Sequence, residues 1–95
     1  MQETMRKVAV VGAGKSGVAS ANFLAARGID VTITDSKSEP EILLASQIDP
    51  RVRRVFGEHP LDLLDSTDTV ILSPGVPQEI RLLRTAHARG IPVIS

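Results

Sequence analysis

Cysteine, tryptophan and tyrosine are absent from this chain of 95 residues, and phenylalanine occurs only twice. Without cysteine the chain can form neither disulfides nor thiolate metal sites, which is compatible with a reducing compartment. The shortage of aromatic rings argues against single-stranded nucleic acid as a partner, because such binders usually stack bases on aromatic side chains. Valine, isoleucine, leucine and alanine must therefore fill the interior.

The sequence also lacks an excess of charge of one sign, since 11 Lys and Arg residues balance 11 Asp and Glu residues. It has no net field that would attract nucleic acid or an anionic membrane surface. No apolar run approaches the roughly 20 residues that a membrane-spanning helix requires. The start from Met1 to Lys7 lacks the apolar core of a signal peptide. We expect a cytoplasmic protein with neither nucleic acid nor membrane as a partner.

Short apolar runs rich in β-branched residues alternate with segments of helical periodicity. The first run is continuous rather than alternating, as is typical of a parallel strand buried on both faces. The predicted strands are Lys7 to Val11, Asp30 to Thr34, Val52 to Phe56, Thr69 to Leu72 and Ile91 to Ile94. Short crossovers between them predict a Rossmann-like α/β fold, with a five-stranded parallel sheet in the order 3-2-1-4-5 flanked by helices. The third and fifth strands are expected near the sheet edges, the fifth because it contains Pro92.

Helical spacing of apolar residues predicts one helix after Gly17 and another from Ile80 towards Gly90. The adjacent residues Ile42 to Leu44 predict a further short helix, and a helical turn is expected after Pro60. We expect residues 1–95 to form a single nucleotide-binding domain, because one compact domain usually has roughly 100 to 150 residues. The stop directly after the fifth strand suggests the N-terminal part of a larger protein.

A glycine pattern separates the first strand from the first helix. Gly12 permits a tight turn, Gly14 lets a phosphate approach the backbone, and Gly17 lets the helix pack closely on the strand. Amides at the start of a helix form an anion site, to which Lys15 and Ser16 would add. The spacing does not fit an ATP P-loop, which needs a longer loop before Gly-Lys-Ser. Two alternatives stay open: a purely structural turn, and a Lys15 side chain that is merely solvated.

Two further loops are expected beside this turn, because the carboxyl ends of parallel strands meet at one edge of the sheet. An acid after the second strand is where nicotinamide-binding domains hold a ribose hydroxyl, although Asp in a turn also caps nearby amides. These loops contribute Asp35, Ser36 and Lys37 after the second strand and Ser73, Pro74 and Gly75 after the fourth.

Residues with catalytic chemistry are sparse. His59 and His87 have no partner at metal or catalytic spacing and are interpreted as surface residues. Acidic pairs such as Asp62 and Asp65 are interpreted as a solvated helix face. We predict no catalytic residue and no metal site in this chain, and hence a domain that binds rather than transforms its ligand.

Three segments together resemble the N-terminal domain of the Mur ligases of peptidoglycan synthesis, and within that family they are most similar to the D-glutamate-adding members. The glycine turn is shared with many dehydrogenases, whereas Ser-Pro-Gly-Val after the fourth strand is more particular to the family. The segments are Val10 to Gly17, Thr34 to Lys37 and Val70 to Val76.

The resemblance implies that this domain binds the UDP part of UDP-N-acetylmuramoyl-L-alanine. Lys15, Ser16 and Gly75 would contact the diphosphate, and the segment Asp35 to Lys37 would surround uracil and ribose. In the full ligase, ATP and magnesium in a central domain would activate the substrate carboxylate as an acyl phosphate, which D-glutamate from a third domain attacks. This chain holds no such machinery, so no cofactor is expected within it and the chain alone should be inactive.

Two other hypotheses remain from the residues themselves. The glycine turn also fits an NAD(P)-binding domain of a dehydrogenase or regulatory protein, although so short a chain offers no partner for hydride transfer. A nucleotide-free interaction domain would use the turn only as a connection between strand and helix.

Overall fold

A computed structural model describes residues 5–95, so the first four residues of the polar start lie outside the described part. Residues 5–95 form five strands and two α-helices. In order they are β1 (Lys7–Val11), α1 (Lys15–Ala25), β2 (Asp30–Asp35), β3 (Arg53–Phe56), β4 (Thr69–Leu72), α2 (Arg81–Ala88) and β5 (Val93–Ile94). Short 3-10 helices occupy Glu39–Glu41, Ala45–Gln47 and Leu61–Ser66.

The strands form one parallel sheet in the order β3-β2-β1-β4-β5, which confirms the predicted Rossmann-like α/β fold. Strand β1 is central and contributes to two apolar layers. Val8 and Val10 pack with α1 on one face, whereas Ala9 and Val11 pack with α2 on the other. The absence of polar alternation in β1 follows from this burial on both faces.

The predicted helix over Ile42 to Leu44 is wrong. Ile42 ends the first 3-10 helix with an extended backbone, at φ −85° and ψ 106°. Its side chain is buried while that of the adjacent Leu43 is 93% exposed. Ile42 and the partly buried Leu44 pack against the core while Leu43 between them faces outwards, and a single-turn 3-10 helix lies on each side of the segment.

Strand β5 begins at Val93 rather than at the predicted Ile91. The amide of Ile91 is already hydrogen-bonded to α2, and Pro92 has no amide hydrogen to donate to the sheet. The amide of Ile91 donates to the carbonyl of Ala86 at the end of α2, at 2.9 Å. Pro92 has no amide hydrogen, although its carbonyl accepts from the amide of Val70 at 2.9 Å. Both edge positions were predicted correctly.

Candidate functional site

A cleft of about 580 Å³ opens at the carboxyl ends of the strands. Every predicted site residue lines it except Gly17, which is buried beneath the turn. The lining consists of Gly12, Gly14, Lys15, Ser16, Asp35, Ser36, Lys37, His59, Ser73, Pro74, Gly75, Val76, Pro77 and Ile80. A second cavity of about 260 Å³, near the amino ends of β1 and β2, contains none of the predicted residues. The three loops therefore converge as the sequence predicted.

Two of the three glycines in the turn are required by the fold itself. Gly12 has a φ of +103°, and a Cβ there would lie 2.8 Å from a methyl carbon of Val76. A Cβ on Gly17 would lie 1.8 Å from the Gly12 carbonyl oxygen, so α1 could not pack this closely on the turn. Gly14 differs, since its φ is −81° and a Cβ there would meet nothing within 4 Å. The fold does not require glycine at this position, and the missing side chain of Gly14 leaves space in the cleft that it lines.

The amides at the start of α1 are available to an anion. The first helical hydrogen bond runs from the amide of Val18 to the carbonyl of Gly14, at 2.9 Å. The four amides before it, from Gly14 to Gly17, donate to no acceptor within residues 5–95. Such amides point along the helix axis and carry its partial positive charge. The turn therefore presents unpaired donors rather than a closed network.

Upstream amides of the turn are already bonded, and Asp35 is one of their acceptors. The Gly12 amide donates to the Thr34 carbonyl at 2.8 Å, and the Ala13 amide donates to Asp35 Oδ2 at 2.8 Å. Asp35 Oδ1 accepts from the amide of Lys37 at 2.9 Å. The local alternative, that Asp35 caps nearby amides, is therefore correct, and each carboxylate oxygen keeps one further lone pair for a ligand.

Ser73 joins β4 to the glycine turn. Its hydroxyl donates to the Gly12 carbonyl at 3.0 Å, its amide donates to the Val11 carbonyl at 3.0 Å, and the residue is buried. The hydroxyl hydrogen is thus committed to the protein, and only the oxygen could still accept from a ligand. Pro74 and Gly75, in contrast, are exposed on the cleft wall.

The interpretation of His59 as an ordinary surface residue is wrong. Its ring is half-buried, lines the cleft, and has Nδ1 at 2.9 Å from the hydroxyl oxygen of Thr34. Burial lowers the pKa of His59, and the nearby charge of Asp35 partly opposes this. The same carboxyl-end argument would have identified His59, because it follows β3 as Asp35 ends β2. His87, in contrast, is exposed on α2.

The electrostatic character of the cleft is positive although the chain is neutral overall. Lys15 and Lys37 both line it and are exposed. In the part of the chain that the structure describes, neither lysine forms an ion pair. Asp35 is the only acidic residue among the described lining residues. Two cations therefore face one carboxylate, which favours an anionic ligand.

A more apolar cavity of about 520 Å³ adjoins the cleft and shares Gly14, Lys15, Asp35 and Lys37 with it. Its remaining wall is formed by the segment from Glu41 to Leu44 together with Ala13 and Gln47. The two cavities are therefore separated only by the shared loops, with charged groups at the border and apolar side chains beyond it.

The described residues contain neither a metal-ligand cluster nor a membrane-spanning helix. Over residues 5–95, no three His, Asp or Glu side chains converge as metal ligands would. No helix among these residues is both long enough and apolar enough to cross a bilayer.

The matching family model and the most similar curated sequences agree on one family. Residues 6–95 match the family described as Mur ligase MurD-like, N-terminal domain. The chain is 45% identical over 91 residues to the UDP-N-acetylmuramoylalanine–D-glutamate ligase of Desulfosudis oleivorans, covering 94% of the chain and 20% of that ligase. It is 42% identical over 88 residues to the enzyme of the same name from Exiguobacterium sibiricum, covering 93% of the chain and 20% of the relative.

A solved structure of a pseudomurein peptide ligase type C from Methanothermus fervidus has a TM-score of 0.77 at 22% identity. The match covers 95% of the chain and 19% of that protein, and at this identity it supports the fold alone. The chain spans about a fifth of the length of the relatives it matches in sequence.

Proposed function

Since the chain belongs to the family of MurD-like Mur ligase N-terminal domains, we propose that it binds the UDP moiety of UDP-N-acetylmuramoyl-L-alanine. It would serve as the substrate-binding domain of the ATP-dependent ligase that adds D-glutamate during peptidoglycan synthesis, a cytoplasmic step. Family membership confirms the resemblance that the three sequence segments indicated.

One observation carries this proposal: within residues 5–95 the amides of Gly14 to Gly17 donate to no acceptor, and Gly14, Lys15 and Ser16 line a cleft where cations outnumber carboxylates. A diphosphate brings two negative charges and several acceptor oxygens, which is what such donors and Lys15 can hold. The exposed backbone of Gly75 faces the same cleft from the opposite loop. We therefore assign the diphosphate to the space between the glycine turn and the loop Ser73 to Gly75.

The nucleoside end of the ligand is assigned to the segment Asp35 to Lys37 and the adjoining cavity. That cavity offers apolar contact from Ile42 and Leu44 for a flat base, next to polar groups for the ribose. The remaining lone pairs of the Asp35 carboxylate can accept from a ribose hydroxyl or a base N–H.

The complete reaction would depend on the rest of the ligase. Formation of an acyl phosphate from ATP needs a triphosphate loop and magnesium ligands, and the glycine turn of this chain has neither the spacing nor the acidic residues for them. We accordingly expect the isolated chain to bind nucleotide without ligase activity.

Calorimetric titration tests the proposal, and it suits a chain that has no tryptophan or tyrosine for fluorescence. UDP and UDP-N-acetylmuramoyl-L-alanine are expected to bind, and NAD is not. Gly14→Val should leave the circular dichroism spectrum unchanged, because the side chain projects into open space. It should weaken UDP binding by at least tenfold, since losing even one hydrogen bond to a charged group costs about 1.5–3 kcal/mol.

Two results would contradict the proposal. Binding of NAD without UDP would favour the dehydrogenase hypothesis instead. Full UDP affinity in a folded Gly14→Val variant would exclude the glycine turn as the phosphate site.

A further inference from the structure

His59 lies on the same cleft as the glycine turn, and within residues 5–95 only one of its ring nitrogens, Nδ1, has a hydrogen-bond partner. We propose that His59 contacts the ligand's diphosphate as an imidazolium cation, so that nucleotide binding is coupled to the uptake of one proton. This inference rests on the proposed function, because it assumes a diphosphate in the cleft.

The hydrogen bonds of the Thr34 hydroxyl fix the orientation of the His59 ring. The Thr34 hydroxyl has a single hydrogen and lies 3.2 Å from the Glu58 carbonyl and 2.9 Å from His59 Nδ1. Both contacts are satisfied if the hydroxyl donates to Glu58 and Nδ1–H donates to the hydroxyl. Thr34 is fully buried in β2, so this anchor is rigid. Nε2 has no protein partner in the described part of the chain and is the nitrogen left for a ligand.

The protonation state then decides what Nε2 can bind. In the neutral ring, with the hydrogen on Nδ1, Nε2 is an acceptor and would repel a phosphate oxygen. In the imidazolium ring it becomes a charged donor that suits phosphate. A ribose hydroxyl would instead donate a hydrogen bond to neutral Nε2, without any proton uptake. The two ligand groups therefore predict different pH dependence.

The charged groups around the ring are few. Asp35 ends β2, Lys37 follows it, Lys15 begins α1, and Glu58 precedes the histidine. The lining residues between Ser73 and Ile80 add no charge. Burial lowers the pKa of His59 in the free domain despite Asp35, which favours the neutral ring there. A bound diphosphate adds negative charge beside it and raises that pKa, which draws in the proton.

The test is calorimetric titration at pH 5.5, 6.5 and 7.5 in two buffers of different ionisation enthalpy. UDP-N-acetylmuramoyl-L-alanine is the probe because its diphosphate is esterified at both ends. Free UDP would add a terminal phosphate that itself titrates with a pKa of about 6. We expect affinity to rise about fivefold from pH 7.5 to 5.5, which is what a pKa rise of about one unit on binding produces over this range. Proton uptake should reach a maximum of about half a proton per ligand between the free and the bound pKa of the ring.

Matched variants isolate the histidine. His59→Gln should abolish both the proton uptake and the pH dependence. His87→Gln changes the only other histidine, which is exposed on α2 outside the cleft, and should keep the wild-type profile. Thr34→Val removes the hydroxyl that orients the ring and should reduce the uptake, whereas Thr34→Ser should restore it.

The outcomes separate this inference from the proposed function. A pH profile that survives in folded His59→Gln would overturn the role of His59. The same profile with uridine, which has no phosphate, would assign the contact to the nucleoside and overturn the diphosphate contact. Absence of binding by the wild-type chain at every pH would instead overturn the proposed function on which the inference rests.

Discussion

At the scale of single residues, the glycine turn contains two kinds of glycine. A Cβ on Gly17 would overlap the Gly12 carbonyl oxygen at 1.8 Å, and the backbone cannot yield there without moving α1. We expect Gly17→Ala to lower the free energy of unfolding by about 3 kcal/mol, the upper end of typical overpacking costs. Gly14→Ala is the matched control and should change it by less than about 1 kcal/mol, because its Cβ meets no atom. Urea unfolding followed by circular dichroism measures both. Equal losses would contradict this division.

The residues of the site were predictable where the strand they end was predictable. The carboxyl ends of β1, β2 and β4 gave the three loops, because parallel strands end at one edge of the sheet. The direction of each side chain was not predictable. The Asp35 carboxylate faces the Ala13 amide and the Ser73 hydroxyl faces the Gly12 carbonyl, both contacts between residues far apart in sequence. The place of His59 at the carboxyl end of β3 could have been predicted by the same argument, but its hydrogen bond to Thr34 could not, because that contact forms only after β2 and β3 pair.

At the scale of elements, Asp68 fastens the start of β4 to the start of β1. Its Oδ2 accepts from the amides of Arg6 and Lys7 at 3.0 and 2.8 Å, and its own amide donates to the Lys7 carbonyl at 2.9 Å. Partial burial raises the pKa of Asp68, but the hydrogen bonds from these amides outweigh it, so the net pKa lies below its ordinary value of 3.8. The ionised carboxylate is therefore favoured in the folded state.

We expect Asp68→Asn to lower the free energy of unfolding by about 1 kcal/mol at pH 7, the typical net value of a hydrogen bond. A carboxyl pKa lowered by folding contributes stability above its unfolded value, which is lost as the pH falls through 3.8 towards the folded value. The difference between wild type and variant should accordingly shrink from pH 5 to pH 3 in urea unfolding. Asp65→Asn, which breaks only an exposed ion pair with Arg89, should cost less. A pH-independent difference for Asp68→Asn would contradict the assignment.

Strands and helices could be predicted from the sequence where the local pattern of apolar residues reflects the burial of the element. Strand β1 is apolar at consecutive positions because both of its faces are covered, and β4 is read in the same way. The segment after β2 has no such regular pattern of apolar residues. Its apolar residues Ile42, Leu44 and Ile48 contact the core from 3-10 turns and extended pieces rather than from one helical face. Periodicity cannot predict contacts that lack a period.

At the scale of the whole molecule, the sheet makes two apolar layers into one unit. Ile33 is buried in the layer on the α1 face and Leu83 in the layer on the α2 face, and both are almost completely inaccessible. The central strand β1 pairs with β2 and with β4, so neither layer can open without exposing residues of the other. A domain of this size typically unfolds in one cooperative transition.

Ile33→Ala and Leu83→Ala should each lower the free energy of unfolding by about 2–5 kcal/mol, the usual range for a truncated buried aliphatic side chain. Total stability for small domains is only about 5–15 kcal/mol, so either variant is expected to remain folded but with a visibly lower midpoint in urea. Because the layers share β1, each variant should accelerate native-state hydrogen exchange at the slowest amides of β1, β2 and β4 by one common factor. The size of that factor is set by the free energy of unfolding that the variant loses. If Leu83→Ala instead accelerated exchange only in β4 and the elements after it, the two faces would be separable units, and the cleft between their loops would depend on two independent folding events.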